Sequence, residues 1–174
     1  MSARTALARL NALPGDAAEA ALREVCGAPG WASAVAAARP LADFSGLARA
    51  AEIAWDALSR EGWIEAFAAH PRIGEDHRVA GGQASSWSRD EQAGIGAEEE
   101  ATRADLAEVQ REYERRFGWT YIVCATGRTA DEMQADCRAR LQNDPGAEIA
   151  VAAREERRIG RLRLIRLLTE GDET

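Results

Sequence analysis

The spacing of apolar residues constrains this sequence most, because they recur mainly every three or four positions along the chain. That period places them on one face of an α-helix, and the abundant alanine, leucine, glutamate and arginine favour helices. Three or four helices are predicted before residue 60, with Ser2, Asp16 and Ser45 where helices should start. A long charged helix is predicted to end near Arg116. The sequence therefore predicts an all-α fold.

Local residues mark two further helix starts. Thr129 with Glu132 matches a capping box, and Asp144 before Pro145 supplies an N-cap followed by a proline at the first helical position. Residues 117–124 instead have the aromatic and β-branched composition of a strand. No second good strand exists to pair with them, so we predict an extended segment rather than a sheet.

Composition limits the class of protein. The chain has 174 residues, of which 46% are hydrophobic and 29% charged, and this balance suits one compact multi-helix domain over residues 1–174. The formal net charge of -7 opposes binding to nucleic acid, which requires a surplus of lysine and arginine. No uninterrupted apolar stretch approaches the ~18 residues of a membrane span. Three cysteines without a CxxC pair suit reduced thiols, so we expect a cytoplasmic protein.

Two short motifs contain residues suited to chemistry. His70 precedes Pro71, and proline disfavours helical geometry in the residue before it, so His70 is predicted at a helix end. A histidine there fits a proton-transfer role and simple stabilisation by the helix dipole about equally well. The segment from Ser88 to Gln92 could bring a cap, the Glu91 carboxylate and a carboxamide to one polar ligand, although the pattern alone is more typical of an ordinary capping box. The surroundings of His70 and His77 match no zinc signature, so no metal site is predicted.

Arg163 lies among leucine and isoleucine residues on the predicted last helix, which would place its guanidinium near the apolar side. It could fix a carboxylate or carbonyl of a substrate, or it could be a snorkelling side chain or half of an ion pair. The charges from Arg154 to Arg166 are interleaved with Glu155 and Glu156, so we interpret this stretch as a solvated helix face.

Five motifs follow one another along most of the chain: His70-Pro71-Arg72-Ile73-Gly74, Ser88-x-x-Glu91-Gln92-x-Gly94, Tyr113-x-x-x-Phe117-Gly118, Arg140-Leu141-x-Asn143 and Ile159-x-x-Leu162-Arg163-Leu164. In this order the chain resembles the OHCU decarboxylases (2-oxo-4-hydroxy-4-carboxy-5-ureidoimidazoline decarboxylases). The resemblance implies an all-helical homodimer that acts on this small molecule in urate degradation. It also implies that (S)-allantoin and carbon dioxide are formed without a metal or organic cofactor.

The resemblance further implies roles for particular residues. It places catalytic groups at His70, Glu91 and Arg163. It implies that these residues bind the substrate: Pro71, Ser88, Arg89, Asp90, Glu91, Gln92, Tyr121, Ile122, Val123, Cys124 and Ala125. The extended segment from Tyr121 to Ala125 would line a flat heterocycle with unpaired backbone amides. This chain departs from many members by having Gln110 in place of an asparagine, and Trp119-Thr120-Tyr121 in place of a Phe-Pro-Phe-like run.

Two other functions remain open at this stage. The same residues could be caps and surface charges of a helical interaction protein that catalyses nothing. The chain could also be a related hydrolase that acts on an earlier product of urate, in which case its reaction would release no carbon dioxide.

Overall fold

The computed structural model describes residues 2–73 and 100–169 of the chain, with side chains from residue 104 in the second range. Within these two ranges the chain forms eight helices and no strand, which confirms the all-α prediction. The helices are α1 (Ala3–Ala12), α2 (Gly15–Val25), α3 (Pro29–Ala37), α4 (Phe44–Asp56), α5 (Arg60–Ala68), α6 (Glu100–Phe117), α7 (Ala130–Arg140) and α8 (Pro145–Thr169). None of the helices so described is long and apolar enough to cross a bilayer.

Most of the predicted helix starts are confirmed, because the capping side chains make the expected hydrogen bonds. The Ser2 side chain accepts from the third residue of α1. At α7, Thr129 and Glu132 form both halves of the capping box. At α8, Asp144 Oδ1 accepts from two backbone amides of the first turn, at 3.0 and 2.9 Å.

Two predicted helix starts are wrong by a residue or two. Asp16 lies inside the first turn of α2, which begins at Gly15. Ser45 lies inside α4, whose N-cap is Asp43. The Asp43 carboxylate accepts from the Gly46 amide at 2.8 Å, and a carboxylate at that position caps the helix before the serine can.

The chain divides into two compact units, and the prediction of one domain over residues 1–174 stays a prediction. The first unit comprises Met1–Ala69 and Arg157–Thr174. In it, α3 packs against α2, α4 and α5. Trp31 lies at the centre of this packing and is 3% exposed, and its indole N–H donates to the Ala51 carbonyl at 3.0 Å.

The second unit comprises His70–Glu156, and in it α6 packs against α7. Its core is built on aromatic contacts. The Tyr113 ring lies 4.7 Å from Phe117 and 5.3 Å from Tyr121 between centroids, and Phe117 lies 5.5 Å from Trp119. Residues 120–125 form neither helix nor strand, which confirms the prediction that no sheet forms there, while their extended conformation stays a prediction. The aromatic contacts of Trp119 and Tyr121 hold this segment against α6.

Candidate active site

His70 lies directly after the end of α5, as predicted. The helix ends at Ala68, Ala69 is its C-cap, and Pro71 disfavours further helix. The His70 side chain is 10% exposed, and its Nε2 lies 2.7 Å from Oε2 of Glu156, whose side chain is 1% exposed. The structure therefore pairs the predicted histidine with a buried carboxylate that the sequence analysis missed.

The contact between His70 and Glu156 has the distance of an ion pair but not the geometry of a hydrogen bond. His70 Nε2 and both carboxylate oxygens of Glu156 are buried, and none of these three atoms has a hydrogen-bond partner among residues 2–73 and 104–169. The separation establishes that the groups are neighbours, while the poor direction leaves hydrogen-bonding capacity on both. Buried polar atoms without partners are rare and costly, and they concentrate where a protein binds or transforms something.

The residues after His70 are fixed to α6. The Gln110 side chain accepts from the Ile73 amide and donates to the Ile73 carbonyl, both at 3.0 Å. One turn later Glu114 forms a two-pronged ion pair with Arg72, at 2.9 Å to Nε and 2.7 Å to Nη2. Since Gln110 and Glu114 are four residues apart on one helix face, a single rigid element holds this segment.

The segment from Tyr121 to Ala125 is buried throughout. Side chains hold two of its backbone groups: Arg140 Nη1 donates to the Ile122 carbonyl at 2.8 Å, and the Cys124 amide donates to Glu155 Oε2 at 2.9 Å. The expectation of unpaired amides is therefore wrong at Cys124. The physical reason is that a buried N–H needs a partner, and the adjacent helix supplies a carboxylate. The role of the segment in lining a substrate stays a prediction.

A buried polar cluster lies behind this segment, centred on Arg140 and Glu148. Arg140 donates to Glu148 Oε1 through Nε at 2.8 Å and Nη2 at 2.6 Å, and Asn143 donates to Oε2 at 2.7 Å. The Tyr113 hydroxyl donates to the same carboxylate and accepts from the Trp119 indole. Burial, and then the bond to Glu148, raises the pKa of Tyr113, so its hydroxyl stays a neutral donor. The cluster is satisfied internally, which indicates that it supports the segment rather than reacts.

Comparison with known proteins identifies the family. The sequence model of the OHCU decarboxylase family matches residues 11–165. The chain belongs to the OHCU decarboxylase family. It is similar to a uric acid degradation bifunctional protein of Arabidopsis thaliana, with 31% identity over 147 residues that cover 83% of this chain and 45% of that protein. The chain thus spans less than half the length of that relative.

Two shorter relatives match over most of their length. The 2-oxo-4-hydroxy-4-carboxy-5-ureidoimidazoline decarboxylase of Amia calva is 28% identical over 137 residues, which cover 78% of each protein. A crystal structure of OHCU decarboxylase in the presence of (S)-allantoin superposes with a TM-score of 0.72 and 29% identity, over 84% of this chain and 96% of that one. The predicted family is therefore confirmed by sequence and by fold.

The residues that the OHCU decarboxylase resemblance implied are distributed as follows. His70, Pro71 and the segment from Tyr121 to Ala125 belong to the second unit. Arg163 belongs to the first unit and is 4% exposed, as its apolar neighbours in the sequence predicted. The remaining predicted site residues lie outside the described residues, and they are Ser88, Arg89, Asp90, Glu91 and Gln92. His77 lies outside them as well. Among the described residues, no three His, Cys, Asp or Glu side chains gather as metal ligands would.

The interpretation of the charged stretch in α8 as a solvated face is wrong at Glu156, while the burial of Arg163 follows its own prediction. Arg154, Arg157 and Arg161 are exposed, as expected. Glu156 and Arg163 are 1% and 4% exposed. Burial of charged groups requires partners, and the partner of Glu156 comes from a segment distant in sequence, which no local charge pattern reveals.

Proposed function

We propose that this chain catalyses the decarboxylation of 2-oxo-4-hydroxy-4-carboxy-5-ureidoimidazoline to (S)-allantoin and carbon dioxide in urate degradation. The observation that carries the proposal is the position of His70, 10% exposed at a helix end beside a buried carboxylate, in a chain of the OHCU decarboxylase family. Binding to a partner protein does not explain why, among the described residues, His70 Nε2 and the buried Glu156 carboxylate have no hydrogen-bond partner.

The chemistry suits the residues present. The bond between the carboxylate carbon and the hydroxyl-bearing ring carbon breaks, and carbon dioxide leaves. The electron pair moves into the adjacent unsaturation of the ring, so no pyridoxal or thiamine is needed to accept it. The ring nitrogen that receives the electron pair takes up a proton, the hydroxyl releases its proton as it becomes a carbonyl, and one proton is delivered to the ureido-bearing carbon, so that one proton is consumed overall. The face of the ring that receives this proton determines the configuration of allantoin.

In this proposal His70 delivers the proton. Glu91 hydrogen-bonds the substrate hydroxyl or the imidazole, Gln92 and nearby backbone amides bind the ureido and ring amides, and Arg163 fixes an oxygen. Pro71 and the segment from Tyr121 to Ala125 contact the ring. We also propose that the enzyme is a cytoplasmic homodimer and needs no metal or organic cofactor, so exhaustive dialysis against a chelator should leave its activity unchanged.

The test generates the labile substrate in situ from urate with the two preceding enzymes, and follows circular dichroism for enantiopure allantoin. The wild-type chain should give a strong stereospecific signal, and His70→Ala should lose it. His77→Ala is the matched control, because His77 is the only other histidine of the chain and should be dispensable.

Carbon dioxide release separates the alternatives. A hydrolase acting on an earlier product would change the optical signal without releasing carbon dioxide faster than the spontaneous decay. A protein that catalyses nothing would leave the slow racemic decay unaltered. Either result would refute the decarboxylase.

A further inference from the structure

Glu156 is the residue of the second unit that local structure explains least. Its side chain is 1% exposed, and within the part of the chain that the structure describes neither carboxylate oxygen has a hydrogen-bond partner. Glu148, in the same unit and 0% exposed, provides the contrast, because Arg140 and Asn143 donate to its two oxygens at 2.6–2.8 Å. A buried carboxylate without donors destabilises a fold, so stability alone does not account for Glu156.

The contact that Glu156 does make is with one particular atom, Nε2 of His70, at 2.7 Å. An imidazole has two distinct ring nitrogens, and a carboxylate at one of them sets the tautomer and the orientation of the ring. The carboxylate also stabilises the positive charge of an imidazolium, as the aspartate of a catalytic triad does for its histidine. A carboxylate at Nε2 leaves Nδ1 for the substrate.

We infer that Glu156 is the positioning residue of His70: its carboxylate faces Nε2 as an electrostatic partner, so that Nδ1 is the nitrogen that delivers the proton. This inference rests on the proposed function for its catalytic part, while the contact itself does not. It assigns a role within the site to a residue of α8 that neither its charged neighbours nor the resemblance indicated. The cost of burying Glu156 is then explained by function.

The decisive variant is Glu156→Gln, which keeps the shape of the side chain and removes its charge. We expect kcat to fall by roughly 10- to 100-fold with KM changed less than about threefold, because the imidazole is oriented less well while the substrate contacts remain. The melting temperature should stay equal to or above that of the wild type. Glu156→Asp, which keeps the charge but withdraws it by one methylene, should recover part of kcat.

Two controls separate positioning from structure. Glu148→Gln removes an equally buried carboxylate but leaves Arg140 without its main partner, so it should lower the melting temperature clearly. Asp56→Asn removes an exposed carboxylate, which is paired with Arg157 at 3.2 Å, and should change neither kcat nor melting temperature.

A spectroscopic readout tests the contact without activity. The chain has only two histidines, so ring-nitrogen signals in proton–nitrogen correlation spectra can be assigned to His70 with a His77→Gln variant. The Nε2 signal of His70 should move in Glu156→Gln and stay in place in Asp56→Asn.

Each outcome decides the inference. Full kcat in Glu156→Gln, an unmoved Nε2 signal, or a fall in melting temperature like that of Glu148→Gln would overturn it. If the wild type itself failed to accelerate the reaction, the proposed function would fail, and a moved Nε2 signal would still establish the pairing of His70 with Glu156.

Discussion

Gln110 fixes the segment after His70, and its contribution to the free energy of unfolding can be predicted. The Gln110 side chain is 0% exposed and exchanges two hydrogen bonds with the backbone of Ile73, which is itself 5% exposed. Gln110→Leu preserves the approximate volume but leaves the N–H and C=O of Ile73 buried without partners. Each such group costs about 1–3 kcal/mol, and the added apolar surface returns about 1 kcal/mol. We therefore expect the free energy of unfolding to fall by roughly 1–5 kcal/mol.

The measurement is urea unfolding followed by far-ultraviolet circular dichroism, with the free energy extrapolated linearly to water. Gln142→Leu is the matched control, because Gln142 is exposed and the same chemical change there should stay within about 0.5 kcal/mol. The decarboxylase activity of Gln110→Leu should fall as well, even where the protein is fully folded, since Ile73 is only three residues after His70.

Two results would refute the predicted role of Gln110 in holding Ile73. If Gln110→Leu and Gln142→Leu destabilised the protein equally and by less than about 0.5 kcal/mol, the buried amide would not be holding Ile73. Normal stability combined with lost activity would also contradict the calculation, because the hydrogen bonds that position the segment are the same ones that stabilise it.

Three further changes have predictable results. A Cβ added at Gly27 would lie 2.1 Å from the Cβ of Ala69, so Gly27→Ala should force a backbone shift and lower stability by about 1–3 kcal/mol in thermal unfolding. Glu114→Gln breaks a partly exposed ion pair with Arg72 and should cost less than about 1 kcal/mol in urea unfolding. Burial raises the pKa of Cys137 to about 12, so its thiol stays protonated at pH 8, and peptide mapping should find it alkylated only after unfolding.

Structure that depends on neighbouring residues was predicted correctly from the sequence. The capping box at Thr129, the cap at Asp144 and the helix end before His70 are each determined within a few positions. The absence of a sheet around residues 119–125 followed from the lack of a second strand. The errors at Asp16 and Ser45 are equally local, since several residues in succession were able to cap and only geometry selected one.

Side chains that pair with residues distant in sequence were not predicted. Gln110 was noted only as a departure from related chains, yet it binds the backbone 37 residues earlier. Glu148 was not noted, although it is the acceptor at the centre of the buried cluster. Hydrogen bonds of this kind leave no periodic signal, because each depends on which distant segment the fold brings near.

Unlike Gln110 and Glu148, Glu156 could have been predicted as buried from the sequence. It belongs to the same three- and four-residue spacing on α8 that placed Arg163 near the apolar side. The buried apolar residues of α8 before it include Ile149 and Ala153, and the next one after it is Ile159, so position 156 continues their spacing of three and four. A charged residue at such a position contradicts the burial that the period demands. For Arg163 the apolar neighbours predicted a position near the apolar side of the helix, whereas Glu156 was predicted at the surface because its immediate neighbours are charged. The periodic position was the better guide, since the face of a helix is set by residues three and four places away and not by those adjacent in sequence.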